Sequence, residues 1–458
     1  MRQDLGSFRD RSGYVFYDGD KVVRTIEHSY KEDWEHIIKS NFLEEAVRNQ
    51  EIVGFNERKP IEGSWKSLNV EPIPFISYPY EWSFSQLKDA AILTLKLQLS
   101  ALERGIILKD ASAYNIQYIG SKPIFIDLLS FELLNEAKTW QAYGQFCSHF
   151  FAPLVIGSKT DVRLLQLSRQ WIDGVPLDIA CKMIPWKARF SPSILMHIIL
   201  HAFMQNKYAD PRSFKDKKDV KKMSMQKLVD IVTSLACAVN KCVLPKQKTE
   251  WVDYYNDTNY SNKGAKAKLE IVENVAQKHK GKLAIDLGAN TGRFSRPLAP
   301  YFETVISADI DPMAVDAHYR FLKQNGPKNI LPLVLDLSSP SPSLGWASTE
   351  RASFANRCSA DFLMALALCH HLFFTVGVPF KQISSYFAKL LKKGGILVCE
   401  FIPKDDSQVQ RMLSSRDDIF DDYTKDSFDQ AFKDAGLIET YVFELPGSMR
   451  TLHVFSKS

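Results

Sequence analysis

The 458 residues are 45% hydrophobic, 12% aromatic and 24% charged, which supplies ordinary cores for two or three domains and excludes wholesale disorder. The net charge of +5 is modest, and the seven scattered cysteines, with no C-x-x-C pair, indicate neither a disulfide framework nor a zinc site. The most apolar stretch, Phe362 to Val378, is broken by His370 and His371 and falls short of the about 18 apolar residues of a spanning helix, so no membrane span is expected. The first residues are charged from Arg2 and lack the apolar core of a secretory signal, which makes a cytoplasmic location the expectation.

Gly13 to Ile26 alternates apolar and polar residues around Asp18-Gly19 and predicts a hairpin. A charged stretch of helical period follows from Tyr30 to Gln50. Glu71 to Trp82 then combines three prolines with Phe75, Tyr78, Tyr80 and Trp82, which excludes a long helix and predicts an ordered connector. Ser83 to Arg104 is apolar at helix spacing and stops at Gly105. The outline is a small β-rich lobe over 1–82 and a mostly helical lobe over 83–244.

Within the second lobe, Asp110 and Asn115 share a loop after the apolar run Ile106–Leu108, and Asp127 ends a second apolar run. Read as residues alone, these side chains cap turns and end strands. The layout also resembles the catalytic and metal-binding loops of protein-kinase-like phosphotransferases. That resemblance implies a kinase-like α+β fold, Asp110 as base, Asn115 and Asp127 as magnesium ligands, and ATP as co-substrate. The sequence departs from the pattern: Lys109 stands where an arginine is usual, Leu128-Leu129 follows Asp127, and no glycine-rich loop is present. His197 and His201 lie four apart on one helix face without an acidic neighbour, and read with His149 as structural histidines. Lys207 to Lys222 is basic but interrupted by Asp210, Asp216 and Asp219. It reads as a solvated face or linker ahead of a nucleic-acid stripe.

Pro245 and the polar residues after it mark a junction, and 245–458 forms the next domain. Trp251, Tyr254, Asn259 and Tyr260 precede its first strand; they pack the junction or, as a resemblance of the strands that follow to S-adenosylmethionine-dependent methyltransferases implies, close on the cofactor. Lys282 to Asp311 reads as strand, glycine turn, helix and second strand ending in acid, one nucleotide-binding β-α-β unit. Asp286 leads into the turn Gly288-Ala-Asn-Thr-Gly292, and Asp309 closes the second strand, where a carboxylate can accept both hydroxyls of a ribose. The turn lacks the G-x-G-x-x-G of dinucleotide sites. Its entering carboxylate suits a cationic ligand such as S-adenosylmethionine rather than a pyrophosphate.

A third strand runs toward Asp336, and a proline- and serine-rich loop follows it, placed to shape a substrate site or to lie on the surface. Asp361 to Leu372 is a fourth strand that runs out into Cys369, His370 and His371. These should border the crevice past the strand ends, with His370 first and His371 second as candidate proton acceptors. Helix capping and backbone hydrogen bonding are the plain roles for the same pair. Glu400 and Asp405 stand at another strand end, and Leu437 to Leu445 with Thr451 to Ser456 predicts a closing antiparallel pair.

From about Trp251 onward, and most closely in DLGANTGRFS, the chain resembles class I S-adenosylmethionine-dependent methyltransferases. The resemblance implies an α/β, Rossmann-like seven-stranded domain with S-adenosylmethionine as cofactor. It places Asp286, Gly288, Ala289, Asn290 and Gly292 around the methionine end, Asp309 with Ile310 at the ribose, and Asp336 with Leu337 by the adenine. The stretches FISYPYEW, LKDASAYNIQ and DLGANTGRFSR also resemble bacterial methyltransferases of a nodulation- or glycan-related type, which implies a small-molecule or glycan hydroxyl as acceptor. RNA and protein acceptors stay open.

Overall fold

The computed structural model describes residues 1–135, 139–209, 223–245, 262–414 and 417–458. The side chains of the basic stretch from Lys207 to Lys222, and Trp251, Tyr254, Asn259 and Tyr260, lie outside the described residues. The chain divides into two compact units. The first comprises residues 1–246 together with Leu344–Arg351, and the second comprises 247–343 and 352–458. Among the described residues no helix is long and apolar enough to cross a membrane.

The first unit opens with a five-stranded antiparallel sheet in the order β1-β2-β3-β5-β4, formed by Arg2–Gln3, Val15–Asp18, Lys21–Ile26, Phe55–Arg58 and Lys66–Val70. The hairpin falls where Asp18-Gly19 places it, with Asp18 opposite Lys21 and Gly19 at φ +61°. The charged stretch after it becomes two helices, Lys31–Lys39 and Phe42–Arg48, because Asn41 adopts the left-handed conformation between them. The proline-rich connector is buried through its aromatics, and the Trp82 indole N–H donates to Ser77 Oγ at 2.9 Å. Ser83 and Gln86 then form a reciprocal capping box at the start of the helix Phe84–Leu102. Two small antiparallel pairs follow. One joins β6 (Ile106–Leu108) to β9 (Phe131–Leu133), the other β7 (Ile116–Ile119) to β8 (Lys122–Phe125), and they frame the loops of Asp110, Asn115 and Asp127.

The second unit is built on a seven-stranded sheet of order β12-β11-β10-β13-β14-β16-β15. Its strands are β10 (Gly281–Leu287), β11 (Phe302–Asp309), β12 (Ile330–Val334), β13 (Ala360–Ala365), β14 (Leu391–Phe401), β15 (Leu437–Glu444) and β16 (Thr451–Lys457). The first five are parallel, and β16 inserts antiparallel between β14 and β15. Parallel strands buried on both faces need apolar side chains at successive positions, and Phe362, Leu363, Met364 and Ala365 of β13 are all buried. Strand order reverses at β10, which has β11 on one side and β13 on the other. The crevice of an open sheet therefore lies past the carboxyl ends of these strands.

One expectation fails. The stretch after Gly292 is not an α-helix but a succession of turns ending in the short 3-10 helix Arg296–Leu298. Pro297 lacks an N–H and crowds the carbonyl four residues back, and Pro300 repeats the obstruction, so the segment cannot propagate an α-helix. The anion-favouring array of N–H groups at a helix start is thus missing from this turn.

Candidate functional site

The chain leaves β10 through a turn that only small or left-handed residues can make, with Gly288 at φ +74° and Asn290 at φ +50°. The N–H groups of Gly288 and Ala289 both donate to the Ala308 carbonyl at 2.9 and 3.0 Å, which locks the turn against the end of β11. Asp309 completes the lock: its Oδ2 accepts the Asn290 N–H at 2.7 Å and its Oδ1 the Asp311 N–H at 2.9 Å. Gly292 serves a different purpose, since a Cβ there would lie 1.8 Å from the His318 ring.

Asp286 ends inside the unit and accepts a 2.6 Å hydrogen bond from Ser295 Oγ. Ser295 Oγ stands 3.0 Å from Ser307 Oγ, which is 3.1 Å from His318 Nδ1, so a buried polar chain backs the carboxylate. Burial is the main cause that raises Asp286 to about 7, with the neighbouring Asp309 adding to it and Lys268 and the Ser295 bond opposing. Burial likewise raises Asp309 to about 6 against the backbone amides that favour its charge.

These residues open on a cleft of about 300 Å³. Asp286, Gly288, Ala289, Asn290, Asp309, Ile310, Asp336 and Leu337 all line it, and Gly292 does not. The opposite wall is apolar, formed by Leu366, Leu368, Leu372 and Val376 past the end of β13. His371 is on the lining, whereas His370 is buried behind it, with its Nδ1 lacking a hydrogen-bond partner. Of the two imidazoles, His371 is thus the one that borders the cleft. Burial, then Arg450, lowers His371 to about 4, and burial pushes His370 well below the ordinary histidine value, so both rings are neutral near pH 7.

Sequence reasoning missed Lys268. It sits on the helix Asn262–Lys278, enters the cleft, and its Nζ lies 2.6 Å from Glu400 Oε2, with 3% and 0% of the two side chains exposed. Glu400 also accepts the Ala367 N–H at 2.7 Å, where Ala367 is held at φ +49°. The signal was present: Gly264, Lys268, Val272, Val275 and Ala276 form the buried stripe of that helix, and a lysine at an apolar position requires a partner.

In the first unit the structure brings Asp110, Asn115 and Asp127 together. Asn115 Nδ2 donates to Ser130 Oγ and to the Asp110 carbonyl, and Ser130 Oγ donates to Asp127 Oδ2 at 2.6 Å. Asp127 Oδ1 lies 3.0 Å from Arg24 Nη2, and Asp110 Oδ1 accepts from Gln145 and from the Ser112 N–H. Both Asp127 oxygens thus already have donors, one of them a cation. Burial, then the charge of Asp127, raises Asp110 above the ordinary carboxylate value. His197 bridges Tyr143 and Ser234 through its two ring nitrogens.

A sheet reversed at β10, with strand-end acids on either side of a glycine turn and an antiparallel seventh strand inserted last, defines a protein of the class I methyltransferase fold. No family model matches the chain. It is 35% identical over 469 residues to nodulation protein NoeA of Rhizobium meliloti (strain 1021), covering 99% of this chain and 96% of that protein, and it belongs to that family. Among solved structures it is similar to the N-methyltransferase NodS from Bradyrhizobium japonicum WM9 in complex with S-adenosyl-L-homocysteine. That match has 14% identity and a TM-score of 0.34 and covers 46% of this chain and 93% of that one. It is also similar to magnesium protoporphyrin IX methyltransferase from Synechocystis PCC 6803, with 17% identity, a TM-score of 0.32, and 45% and 92% of the two chains covered.

Proposed function

We propose that this chain is an S-adenosylmethionine-dependent methyltransferase whose acceptor is a hydroxyl of a sugar or glycan. The observation that carries the cofactor reading is the pair of buried carboxylates, Asp286 and Asp309, facing one cleft from adjacent strand ends with the Gly288-Ala289-Asn290 turn between them. When bound, S-adenosylmethionine supplies a methyl group on a cationic sulfur. Asp286 suits the ammonium of its methionyl end and Asp309 the ribose hydroxyls, while Ile310 and Leu337 offer apolar faces to the adenine beside Asp336. Lys268 lines the same cleft as Asp286, where burial lowers its pKa against the opposing effect of Glu400.

His371 stands on the cleft with its ring unprotonated at pH 7; lowered to about 4 it is a weak base, suited to accept a hydrogen bond from the acceptor hydroxyl and to take its proton late, once attack on the methyl carbon has made that oxygen strongly acidic. The apolar wall excludes water, and alignment of acceptor oxygen and methyl carbon supplies the rest of the rate. A magnesium–ATP site at Asp110, Asn115 and Asp127 is not part of this proposal, because Asp127 is occupied by Arg24 and Ser130.

Titration calorimetry with S-adenosylmethionine tests the cofactor, and transfer of labelled methyl into a panel of oligosaccharides tests the acceptor. Wild type is expected to bind, and Asp309→Ala to bind about 10–100-fold more weakly through loss of charge-assisted hydrogen bonds. Folded wild type that binds no S-adenosylmethionine overturns the cofactor assignment. Label appearing in peptide or RNA and not in oligosaccharide overturns the acceptor alone.

A further inference from the structure

The first unit carries an apolar surface that nothing in the proposed transferase uses. Pro192–Ile194, Leu195–Leu200 and His201–Ala209 run on as one helix, the middle part with π-type hydrogen bonding. Its inner face buries Ile194, His197, Ile198 and Ala202. A helix on a protein surface normally turns polar residues outward, yet this one presents Met196, Leu200, Phe203 and Met204 to solvent. Phe190, 75% exposed, and Trp186, 65% exposed, extend the surface from the turn just before the helix, their rings 6.1 Å apart. Scattered apolar residues on a surface need no explanation, but seven large ones within nineteen residues of chain, 186–204, with Leu195 the seventh, mark a docking face.

The charges around this face identify what it meets. From 179 to 209 the sequence contains Lys182, Lys187, Arg189 and Lys207 and no aspartate or glutamate. Lys182 and Lys187 are exposed, and Lys187 Nζ lies 5.7 Å from the Trp186 ring, so cation and aromatic share one edge. A protein partner is ordinarily met by a rim of mixed polar character. Exposed Trp, Phe, Met and Leu bordered mainly by Lys182, Lys187 and Arg189, with exposed Asp178 the nearest acid in sequence, fit instead the interface of an anionic bilayer, where apolar side chains enter the acyl boundary and cations meet headgroup phosphates.

We propose that the segment from Lys182 to Met204 docks the protein reversibly on anionic lipid membranes. The helix lies in the interfacial plane and does not span. The assignment rests on this surface alone and is independent of the methyl-transfer reading.

Vesicle flotation of the full chain tests it, with phosphatidylcholine vesicles compared against vesicles that also contain phosphatidylglycerol. Wild type is expected to float with the anionic vesicles and not with the neutral ones, and added salt should weaken the association. Phe190→Ser/Phe203→Ser removes two exposed rings and should lower partitioning by about tenfold or more, with an unchanged thermal midpoint because neither ring is in the core. Lys182→Glu/Lys187→Glu leaves the apolar face intact and should abolish the preference for phosphatidylglycerol. No flotation with anionic vesicles, equal flotation with neutral ones, or flotation that both double variants retain overturns the proposal. So does sedimentation velocity showing a dimer that Phe190→Ser/Phe203→Ser dissociates while no vesicle is bound, which assigns the face to a second copy of the chain.

Discussion

Asp286 is the side chain whose protonation the cleft controls most directly. An ordinary aspartate titrates near 3.9, whereas burial holds this one at about 7. Between those values the folded protein keeps a proton that the unfolded chain has released, so its contribution to stability declines as pH rises through that window and levels off above it. Asp309, at about 6, acts in the same direction over a narrower range. A cationic ligand beside Asp286 favours the carboxylate and expels the proton. Binding of S-adenosylmethionine at pH 6 to 6.5 is therefore expected to release protons, and affinity to rise as pH increases toward 7.5. Calorimetry in two buffers of different ionisation enthalpy measures the release directly. Asp286→Asn should bind more weakly and lose most of the pH dependence, and uptake of protons by wild type would contradict the assignment.

The helix Asn262–Lys278, the turn just past β13 and the end of β14 are tied to one another by a single carboxylate. Glu400 is fully buried, and Lys268 and the Ala367 N–H both reach it, so the left-handed turn at Ala367 and the position of the lysine depend on the same group. Truncation of one member of a buried ion pair is costly because the remaining charge loses its counterion. Glu400→Ala is expected to lower stability by about 3 kcal/mol or more in urea unfolding. Lys268→Met/Glu400→Leu keeps the volume and removes both charges, and should recover a large part of that loss while weakening cofactor binding. A double variant as unstable as Glu400→Ala would mean that the Ala367 turn, not the ion pair, sets the cost.

At this scale the sequence was legible where the signal is local. A glycine turn after an apolar strand and acids at successive strand ends mark the cleft without any long-range information. The helix expected after Gly292 failed because two prolines outweigh the family pattern, and Lys268 was missed because its partner lies 132 residues away. The same distance dependence explains the histidines. Nothing local tells which of two adjacent rings borders the cleft once β13 ends at Ala365 and the chain coils helically from Cys369.

Across the whole molecule the least legible feature is the assignment of Leu344–Arg351 to the first unit, although the residues on either side of it belong to the second. Its anchor is Glu350, whose side chain is fully buried. Arg9, 341 residues away in sequence, donates to Glu350 from Nε at 2.9 Å and from Nη2 at 3.1 Å. The Trp346 N–H donates to Glu350 Oε1 from within the segment, and Gly6 lies so close that a Cβ would stand 2.9 Å from the Glu350 carbonyl. Arg351 extends the anchor by placing its guanidinium 4.4 Å from the centre of the Tyr114 ring. No periodicity or motif reveals such a pairing, since a loop rich in proline and serine carries no pattern that names its partner.

The consequence is a substitution late in the sequence whose effect falls early in it. Glu350→Ala removes two charge-assisted hydrogen bonds to a half-exposed arginine and one backbone partner, a loss of about 1–2 kcal/mol. Hydrogen exchange followed by peptide should then quicken about tenfold around Arg9 and within 344–351, while peptides from the strands β10, β11, β12, β13 and β14 themselves keep their wild-type protection. Faster exchange confined to the strands of the second unit would show that the segment belongs energetically with the sheet it interrupts and not with the residues that hold it.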